Sequence, residues 1–272
     1  MTAWAELFRD RFDAVAERLF NGCHLVVGGE RYRLVEIEFY HTSKDHPDPF
    51  SHGDPVQLEL GRWYFHRTGG VYRGGSFKGV DVSFGDGTAH GGVLVRGIEA
   101  ADGSLIDGPS VTVDHLLAKS GHVKVSDLDR AIAGRKVWDA SSPIHLEWLD
   151  APRGHAVVKS GRVGLTLRRN PLTPEMTRFI LMPYRYLTEP RRTAKGKPYL
   201  VLALHRLGVA PDSIHQQTGT PKASVARYIA DFEAGRASAD FVPYQKDSLS
   251  TGDLCRLHGT WHAVYGGSLP GV

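Results

Sequence analysis

Two glutamates with strand spacing are the residues best suited to chemistry in this chain. Residues 33–40 have the apolar and β-branched content that predicts a β-strand. Because side chains alternate along a strand, Glu36, Glu38 and Tyr40 share one face. Carboxylates there could accept a proton from water or stabilise a positive charge. An edge strand with a solvated outer face would show the same pattern.

Charged residues inside two later predicted strands point to the same region. Asp81 lies in a strand predicted over residues 77–84, and Arg96 lies in one predicted over 92–98. An arginine buried without a partner in such an apolar segment would be costly. We therefore expect a carboxylate partner for Arg96, such as Glu38.

The loop over residues 41–52 is rich in histidine and aspartate. This composition suggests a metal site, but the spacing of the side chains fits no standard zinc motif. A loop beside a carboxylate-bearing strand can equally hold a polar ligand, so we predict no metal. The histidines in this loop are His41, His46 and His52.

A glycine-rich tip over residues 69–75 carries Tyr72 and Arg73. It lacks the spacing and the Lys-Ser/Thr ending of a phosphate-binding P-loop. An exposed aromatic side chain flanked by arginine is suited to insertion between bases or stacking on them. The alternative is a plain hairpin turn whose tyrosine folds back onto the sheet.

Composition limits the class of protein. The chain has 272 residues, and 41% of them are hydrophobic. Its 33 Lys+Arg and 30 Asp+Glu give a net charge of +3. This charge permits a nucleic-acid partner without requiring one. Cys23 and Cys255 are the two cysteines, which argues against a disulfide framework, a Cys-rich zinc site or an iron–sulfur cluster. The N-terminus does not have the character of a signal peptide, and no apolar segment is long enough to span a membrane. We expect a cytoplasmic protein.

The remaining patterns predict the elements that position these residues. We predict helices at residues 3–20, 109–118 and 126–132, and irregular chain over 134–161. The other predicted strands cover residues 23–27, 58–66, 162–167 and 178–182.

The composition changes near residue 189, where a basic linker begins. Helices predicted at 199–207, 210–218 and 221–234, with a glycine-containing turn, follow the helix-turn-helix plan. Lys222, Ser224 and Arg227 would then be exposed toward DNA, although such trihelical units also dock proteins. We predict a loosely held tail over residues 236–272.

Several sequence blocks together resemble the alkyladenine (3-methyladenine) DNA glycosylase family over roughly residues 12–188. The blocks occur in the family's order: 35–40, the step from Asp48 to His52, the aromatic strand ending at His66, 93–96, 108–110, 162–164 and the closing strand at 178. The resemblance implies an α+β fold with a curved, mostly antiparallel sheet and flanking helices. It implies a glycosylase-like catalytic domain over 1–190, to which this chain adds a linker and helix-turn-helix module at 191–240 and a tail at 241–272.

The resemblance also implies site roles. Glu38 would activate a water against the sugar's anomeric carbon, while Arg96 and the main-chain carbonyl of Val163 would help to hold that water. Tyr40 and His66 would sandwich the extruded base.

Further pocket residues follow from the same resemblance. His52 would form a hydrogen bond near the leaving base, and Tyr72 best matches the intercalating tyrosine. The chain departs from the family at His66, where Tyr is usual, and at Asp81, where Asn is common. A carboxylate at position 81 would accept hydrogen bonds from exocyclic amines or favour a cationic base.

The resemblance therefore predicts a monomeric, monofunctional DNA glycosylase acting on double-stranded DNA that contains a modified base, with no cofactor. No lysine stands at the nucleophile's position, so we expect no lyase step. The excised base could be alkylated, deaminated or a phage modification. Two alternatives stay open: a helix-turn-helix regulator with a non-catalytic N-terminal domain, and a metal-dependent nuclease using His41, His46, His52 and the nearby acidic residues.

Overall fold

The computed structural model describes residues 3–266, which fall into two units. The first unit comprises the chain up to Pro47 together with Ser51–Val157, and the second comprises Asp48–Phe50 and the chain from Val158 onward. The functional boundaries predicted near residues 190 and 240 stay predictions.

Antiparallel strands form the framework of the first unit. The strands are β1 (Cys23–Val27), β2 (Glu30–Thr42), β3 (Leu60–Phe65), β4 (Arg67–Thr68), β5 (Val71–Tyr72), β6 (Val80–Phe84), β7 (His90–Glu99), β8 (Leu105–Asp107) and β9 (Ile144–Trp148). Strand β2 pairs with β1 and β7, β7 pairs with β6 and β8, β6 pairs with β3, and β9 pairs with β1. The tip predicted at residues 69–75 belongs to a small β4–β5 hairpin.

Helices flank this sheet, which confirms the predicted α+β class. They are α1 (Ala3–Leu7), α2 (Phe12–Gly22), α3 (Pro109–Lys119) and α4 (Val125–Ala131). The single helix predicted over residues 3–20 is wrong. The chain is extended at Arg11, whose N–H donates to the Asp10 side chain at 2.8 Å, and this turn separates α1 from α2.

The two faces of the β2–β7–β6–β3 sheet differ sharply in chemistry. Phe39 and Val93 form a registered pair on the apolar face, where Phe12 of α2 stacks on Phe39 with ring centroids 4.4 Å apart. The opposite face carries Glu38 and Tyr40 of β2, and the registers continue it to β6 and β3. The apolar face anchors the sheet to α2 and leaves the polar face available for chemistry.

The second unit is mostly helical. It contains an antiparallel pair, β10 (Val158–Ser160) and β11 (Arg185–Leu187), and the helices α5 (Pro174–Phe179), α6 (Lys197–Arg206), α7 (Pro211–Thr218), α8 (Lys222–Gly235) and α9 (Thr251–Tyr265). The three helices of the predicted helix-turn-helix are confirmed as helices. Val201, Leu204, Ile214 and Val225 form their shared core, and Gly219 makes the turn with φ of 67°.

Several strand predictions are wrong. Residues 162–167 form a turn and irregular chain, with Gly164 at φ of 88°. The strand predicted over 178–182 is also absent, because residues 178 and 179 end α5 and residues 180–182 lie in the turn after it. Helix α5 begins where the Thr173 hydroxyl accepts the Met176 N–H at 3.3 Å, and a proline follows that cap. The segment predicted as irregular, 134–161, contains β9 and β10.

The loosely held tail predicted from residue 236 is also wrong for its described part. Ser250 caps α9, and Trp261 is fully buried. A Cβ added at Gly235 would lie 2.0 Å from the Arg256 carbonyl oxygen, and one added at Gly259 would lie 2.0 Å from that of Phe232. The glycines that suggested a loop therefore allow α8 and α9 to pack backbone against backbone. None of the helices within residues 3–266 is long and apolar enough to cross a membrane.

Candidate active site

The polar face of the sheet centres on Arg96, which lies between the two glutamates of β2. Arg96 Nε donates to Glu36 Oε1 at 2.7 Å, and Nη1 donates to Glu38 Oε2 at 3.3 Å. Glu38 is fully buried and Glu36 is 1% exposed. The carboxylate partner predicted for Arg96 is present, and the shorter bond is made by Glu36. Glu36 therefore holds the guanidinium that also reaches Glu38.

A register shift accounts for this placement. Glu36 pairs with Gly97 and Ile37 with Val95, so Arg96 is the extra residue of β7 at this point. Such a bulge bends a strand locally and redirects a side chain. Burial disfavours the charged guanidinium, but the negative charges of Glu38 and Glu36 outweigh it and raise the pKa of Arg96.

Tyr40 also forms a hydrogen bond to Glu38. Its hydroxyl donates to Glu38 Oε2 at 2.8 Å, the same oxygen that Arg96 reaches. Tyr40 is partly exposed, unlike Glu38. The two side chains predicted to share a strand face therefore do so, and the tyrosine links the buried carboxylate to the accessible part of the site.

A second acidic centre on this face is Asp81. Its Oδ1 lies 2.7 Å from His66 Nε2, which donates because a carboxylate only accepts, and its Oδ2 accepts from Gln57 Nε2 at 3.0 Å. A Cβ at Gly92, the registered partner of Tyr40, would lie 2.5 Å from Asp81 Oδ2. Position 92 therefore needs glycine so that the carboxylate can lie against the strand backbone.

His52 lies next to this pair. Its ring meets that of His66 edge-on, with centroids 4.3 Å apart, and it also faces Tyr64 at 5.8 Å. Burial of the ring, and then the neighbouring His66, lowers the pKa of His52 to about 4. Because His52 is also exposed along part of its surface, water screens some of this effect. His52 is neutral at pH 7, so one of its ring nitrogens can donate a hydrogen bond and the other can accept one.

His52, His66 and Asp81 also form the group of described residues whose geometry could hold a metal ion, with ligand atoms within 4.8 Å of one another. This is a different set from the nuclease hypothesis. His41 stacks on Phe84 on the apolar side of the sheet, its ring centroid 5.8 Å from that of Phe84, and His46 is near His41. The three loop histidines are therefore not brought together as a ligand set.

The tip residues are placed in a way that favours the hairpin alternative for Tyr72. The Tyr72 hydroxyl donates to Asp129 Oδ2 at 2.6 Å, and the Arg67 guanidinium lies 4.7 Å from its ring centroid. Arg73 Nε donates to Thr68 Oγ1 at 3.0 Å. Two apolar side chains of this region are exposed, Val71 at 72% and Phe77 at 74%. Phe77 is the aromatic one, and it lies two residues before Gly79, against which the His66 ring packs. Sequence reasoning placed Phe77 at the start of a strand and missed it.

In the second unit, a buried ion pair fixes the segment that carries Val163. Arg162 Nη1 and Nη2 donate to the two oxygens of Asp48 at 2.6 and 3.2 Å, and Nη2 also donates to the Phe179 carbonyl at 3.1 Å. Both charged side chains are fully buried. The role of the Val163 carbonyl stays a prediction. The pair explains why Asp48 and Arg162 belong to the blocks that carry the family resemblance.

The predicted DNA-contacting residues of α8 lie at its N-terminal end. Lys222 and Arg227 are exposed and Ser224 is partly exposed. Lys222 forms an exposed surface ion pair with Asp212 at 2.7 Å, a weak interaction that a phosphate could replace. Their role in DNA binding is not tested by this geometry.

No model of a known protein family matches the chain. An uncharacterized protein of Acanthamoeba polyphaga mimivirus is 30% identical to it over 212 residues, which cover 72% of this chain and 94% of the viral protein. A Rhodococcus jostii (strain RHA1) protein named "Putative 3-methyladenine DNA glycosylase" is 33% identical over 154 residues, covering 51% of this chain and 69% of that protein. A buried glutamate–arginine centre on an antiparallel sheet is the class of site that the structure defines. On the Rhodococcus similarity, the chain belongs to the 3-methyladenine DNA glycosylase family.

Proposed function

We propose that the protein is a DNA glycosylase that flips a modified base out of duplex DNA and hydrolyses its N-glycosidic bond. The observation that carries this proposal is Glu38, a fully buried carboxylate that accepts from Tyr40 and Arg96 on the polar face of the sheet. A carboxylate held in this way can accept a proton from water and stabilise positive charge in a reacting sugar.

The chemistry divides between Glu38 and its neighbours. Displacing a base from the sugar passes through an oxocarbenium-like state. Glu38 takes the proton of the attacking water, and Arg96 helps to hold that water. Because Glu36 binds Arg96 at 2.7 Å, the guanidinium cannot turn away from Glu38 without breaking a buried ion pair. We assign Glu36 the role of positioning Arg96.

The base pocket is formed by Tyr40, His66, His52 and Asp81. Aromatic faces hold an extruded base through stacking, with a contribution of about 1–3 kcal/mol per base. Asp81 retains acceptor capacity on each oxygen beyond its bonds to His66 and Gln57, which favours a base with an exocyclic amine or a positive charge. Alkylated purines meet this description, so we propose them as substrates ahead of deaminated purines or phage-modified bases.

Oligonucleotide duplexes with single modified bases test this proposal directly. Each duplex would be incubated with the protein and heated in alkali, which cleaves only at abasic sites. We expect strand cleavage for at least one alkylated purine, and cleavage that depends on alkali because no lyase step is proposed. Cleavage without alkali, or loss of activity in EDTA, would instead support the nuclease alternative.

The sharpest variant is Glu38→Gln, which preserves shape and removes the charge. A general base typically contributes about 10²–10⁴-fold, so the single-turnover rate should fall in that range while duplex affinity changes little. The control is Glu59→Gln, an exposed glutamate of the same unit. If Glu38→Gln excises bases at the wild-type rate, Glu38 is not the base and the proposal fails.

The helix-turn-helix helices favour a second candidate, a DNA-binding regulator with a non-catalytic first unit. In the glycosylase proposal, Lys222, Ser224 and Arg227 of α8 contact DNA and support the catalytic unit. A regulator would bind its operator equally well with Glu38→Gln and would excise no base from any duplex. Lys222→Gln with Arg227→Gln should weaken duplex binding and flatten its salt dependence under either function.

A further inference from the structure

A cavity of about 230 Å³ lies within the second unit, and none of its lining residues is used in the proposed reaction. Arg206 at the end of α6 and His258 and His262 of α9 line it, together with Lys159 of β10. Its apolar wall includes Leu181, Pro183, Ala203 and Leu207. The volume is smaller than the roughly 300–1,000 Å³ of pockets that hold drug-sized ligands.

Nitrogen atoms at this cavity lack partners within residues 3–266. Arg206 Nε, His258 Nε2 and His262 Nδ1 are buried and make no hydrogen bond among the described residues. His258 is 4% exposed, so bulk water does not satisfy it. Unsatisfied buried groups cost about 1–3 kcal/mol each, more when charged, and usually have an explanation.

Arg206 also has no carboxylate partner among the described residues to balance its charge. Its guanidinium lies 5.3 Å from the Trp261 ring centroid. Burial lowers the pKa of Arg206. Burial, and then the Arg206 charge, lowers the pKa of His258 to about 3. A negative charge in the cavity would relieve both effects, because it favours the protonated form of each group.

We propose that this cavity binds a small organic anion. Its carboxylate or phosphate oxygens accept from Arg206 Nε and His258 Nε2, and its apolar body lies against Leu181, Pro183 and Leu207. The ligand connects α6, the first helix of the helix-turn-helix, to α9. This site is independent of the glycosylase proposal, since it shares no residue with the sheet of the first unit.

Thermal unfolding of the full chain at constant ionic strength tests the proposal with three probes. Sodium benzoate carries both charge and an apolar body, inorganic phosphate carries only charge, and benzyl alcohol carries only the body. At about ten times its dissociation constant, benzoate should raise the Tm of the second unit by roughly 3–6 °C. Phosphate should give a smaller rise in Tm. Benzyl alcohol should change the Tm of the wild type no more than it changes the Tm of the Arg206→Gln and His258→Phe variants.

Variants show whether the response comes from this cavity. Arg206→Gln and His258→Phe should each abolish the benzoate response. The phenylalanine keeps the edge-on contact that His258 makes with Tyr199, whose ring centroid is 5.0 Å away, and removes the unsatisfied nitrogen. Arg168→Gln, which changes an exposed arginine of the same unit, should leave the response unchanged.

Ring-nitrogen NMR of His258 in the wild-type protein provides a reading that does not require the variants to fold. Benzoate should shift the His258 Nε2 resonance with the same concentration dependence as the Tm. The proposal is overturned if benzyl alcohol stabilises as much as benzoate, if Arg206→Gln keeps the full response, or if the His258 resonance stays still at saturating benzoate.

Discussion

The sheet site and the helical cavity treat buried charge in opposite ways. On the sheet, Arg96 has two carboxylates within 3.3 Å, and Asp81 has a donor on each oxygen. In the cavity, Arg206 Nε and His258 Nε2 have no hydrogen-bond partner among residues 3–266. The first site is organised before any ligand arrives, whereas the second leaves its donors for a ligand to satisfy.

Because of this difference, the two sites gain free energy from a ligand in different ways. A preorganised site loses little on reaching its reactive geometry, because its charges already hold one another in place. A site with unsatisfied donors is destabilised when empty and gains stability on binding. The comparison therefore predicts that removing the arginine destabilises the sheet site far more than the helical cavity.

The largest effect is expected when an arginine is removed from each site. Arg96→Gln removes the cation that contacts both Glu36 and Glu38, two buried carboxylates, and it should lower the free energy of unfolding by about 3–5 kcal/mol. Arg206→Gln removes a charge that has no carboxylate partner, so it should change stability by about 1 kcal/mol or less. Urea unfolding of both variants measures the contrast.

The double variant Arg96→Gln, Glu36→Gln provides the control. It also removes the negative charge of Glu36, one of the two glutamates that contact Arg96 in the wild type, and should recover part of the lost stability. Equal losses from Arg96→Gln and Arg206→Gln would mean that the two sites do not differ in the way proposed.

Acid stability should differ between the wild type and His258→Phe. The folded-state pKa of His258 is about 3, against 6.5 for the free side chain, so below pH 6.5 the unfolded chain takes up a proton that the folded chain does not. Stability therefore falls as the pH falls, by roughly 2–3 kcal/mol between pH 6.5 and 4.5 from this group. Chemical unfolding across this range should give a steeper decline for the wild type than for His258→Phe. Identical slopes would show that His258 takes up its proton freely in the folded protein.

The sequence predicted the features of the two sites that depend on residues close together in the chain. Alternation along β2 predicted that Glu36, Glu38 and Tyr40 share a face, and the cost of burying Arg96 predicted its carboxylate partner. Both inferences used local periodicity and the cost of an unpaired charge. The three helices of the helix-turn-helix were predictable for the same reason, since their apolar spacing and the glycine turn between them are local.

The missed features depend on contacts between distant parts of the chain. Gln57 reaches Asp81 because the chain before β3 returns to β6, and no sequence spacing indicates this bond. Gly235 and Gly259 permit close packing of α8 and α9. The same glycine-rich composition had suggested a loosely held tail. The cavity at Arg206 and His258 likewise requires knowledge of which helices meet.

Substitutions at the Asp81 pair should affect base selection more than folding. Asp81→Asn keeps the shape of the side chain and removes its charge, so excision of a cationic or amine-bearing purine should slow by roughly 10–100-fold. Gly92→Ala should act in the same direction, because its Cβ would lie 2.5 Å from Asp81 Oδ2 and 2.6 Å from Gln57 Nε2. Single-turnover rates on a cationic and a neutral modified purine measure the effect, and equal slowing of both would argue against a role for Asp81 in selection.

The smallest effect is expected at the β4–β5 hairpin and the segment that follows it. It concerns which side chain fills the gap left by a flipped base. Phe77→Ala should slow excision from duplex DNA by about tenfold, since the lost stacking contributes on the order of 1–3 kcal/mol. Tyr72→Ala should have less effect, because the Tyr72 hydroxyl is held by Asp129 and its ring lies against Arg67. The measurement is the single-turnover rate of each variant on a modified duplex.

A single-stranded substrate distinguishes a wedge, meaning a side chain that fills the gap left by the flipped base, from a side chain with a structural role. A wedge compensates for the base pair and the stacking that flipping disrupts, so Phe77→Ala should slow excision from a duplex and leave excision from a single strand unchanged. If Tyr72→Ala gives that pattern instead, the tyrosine must leave Asp129 when DNA binds, and the hairpin that holds it here would be a resting arrangement. If both variants slow both substrates, the hairpin supports the pocket through His66 and Gly79, and neither side chain acts as a wedge.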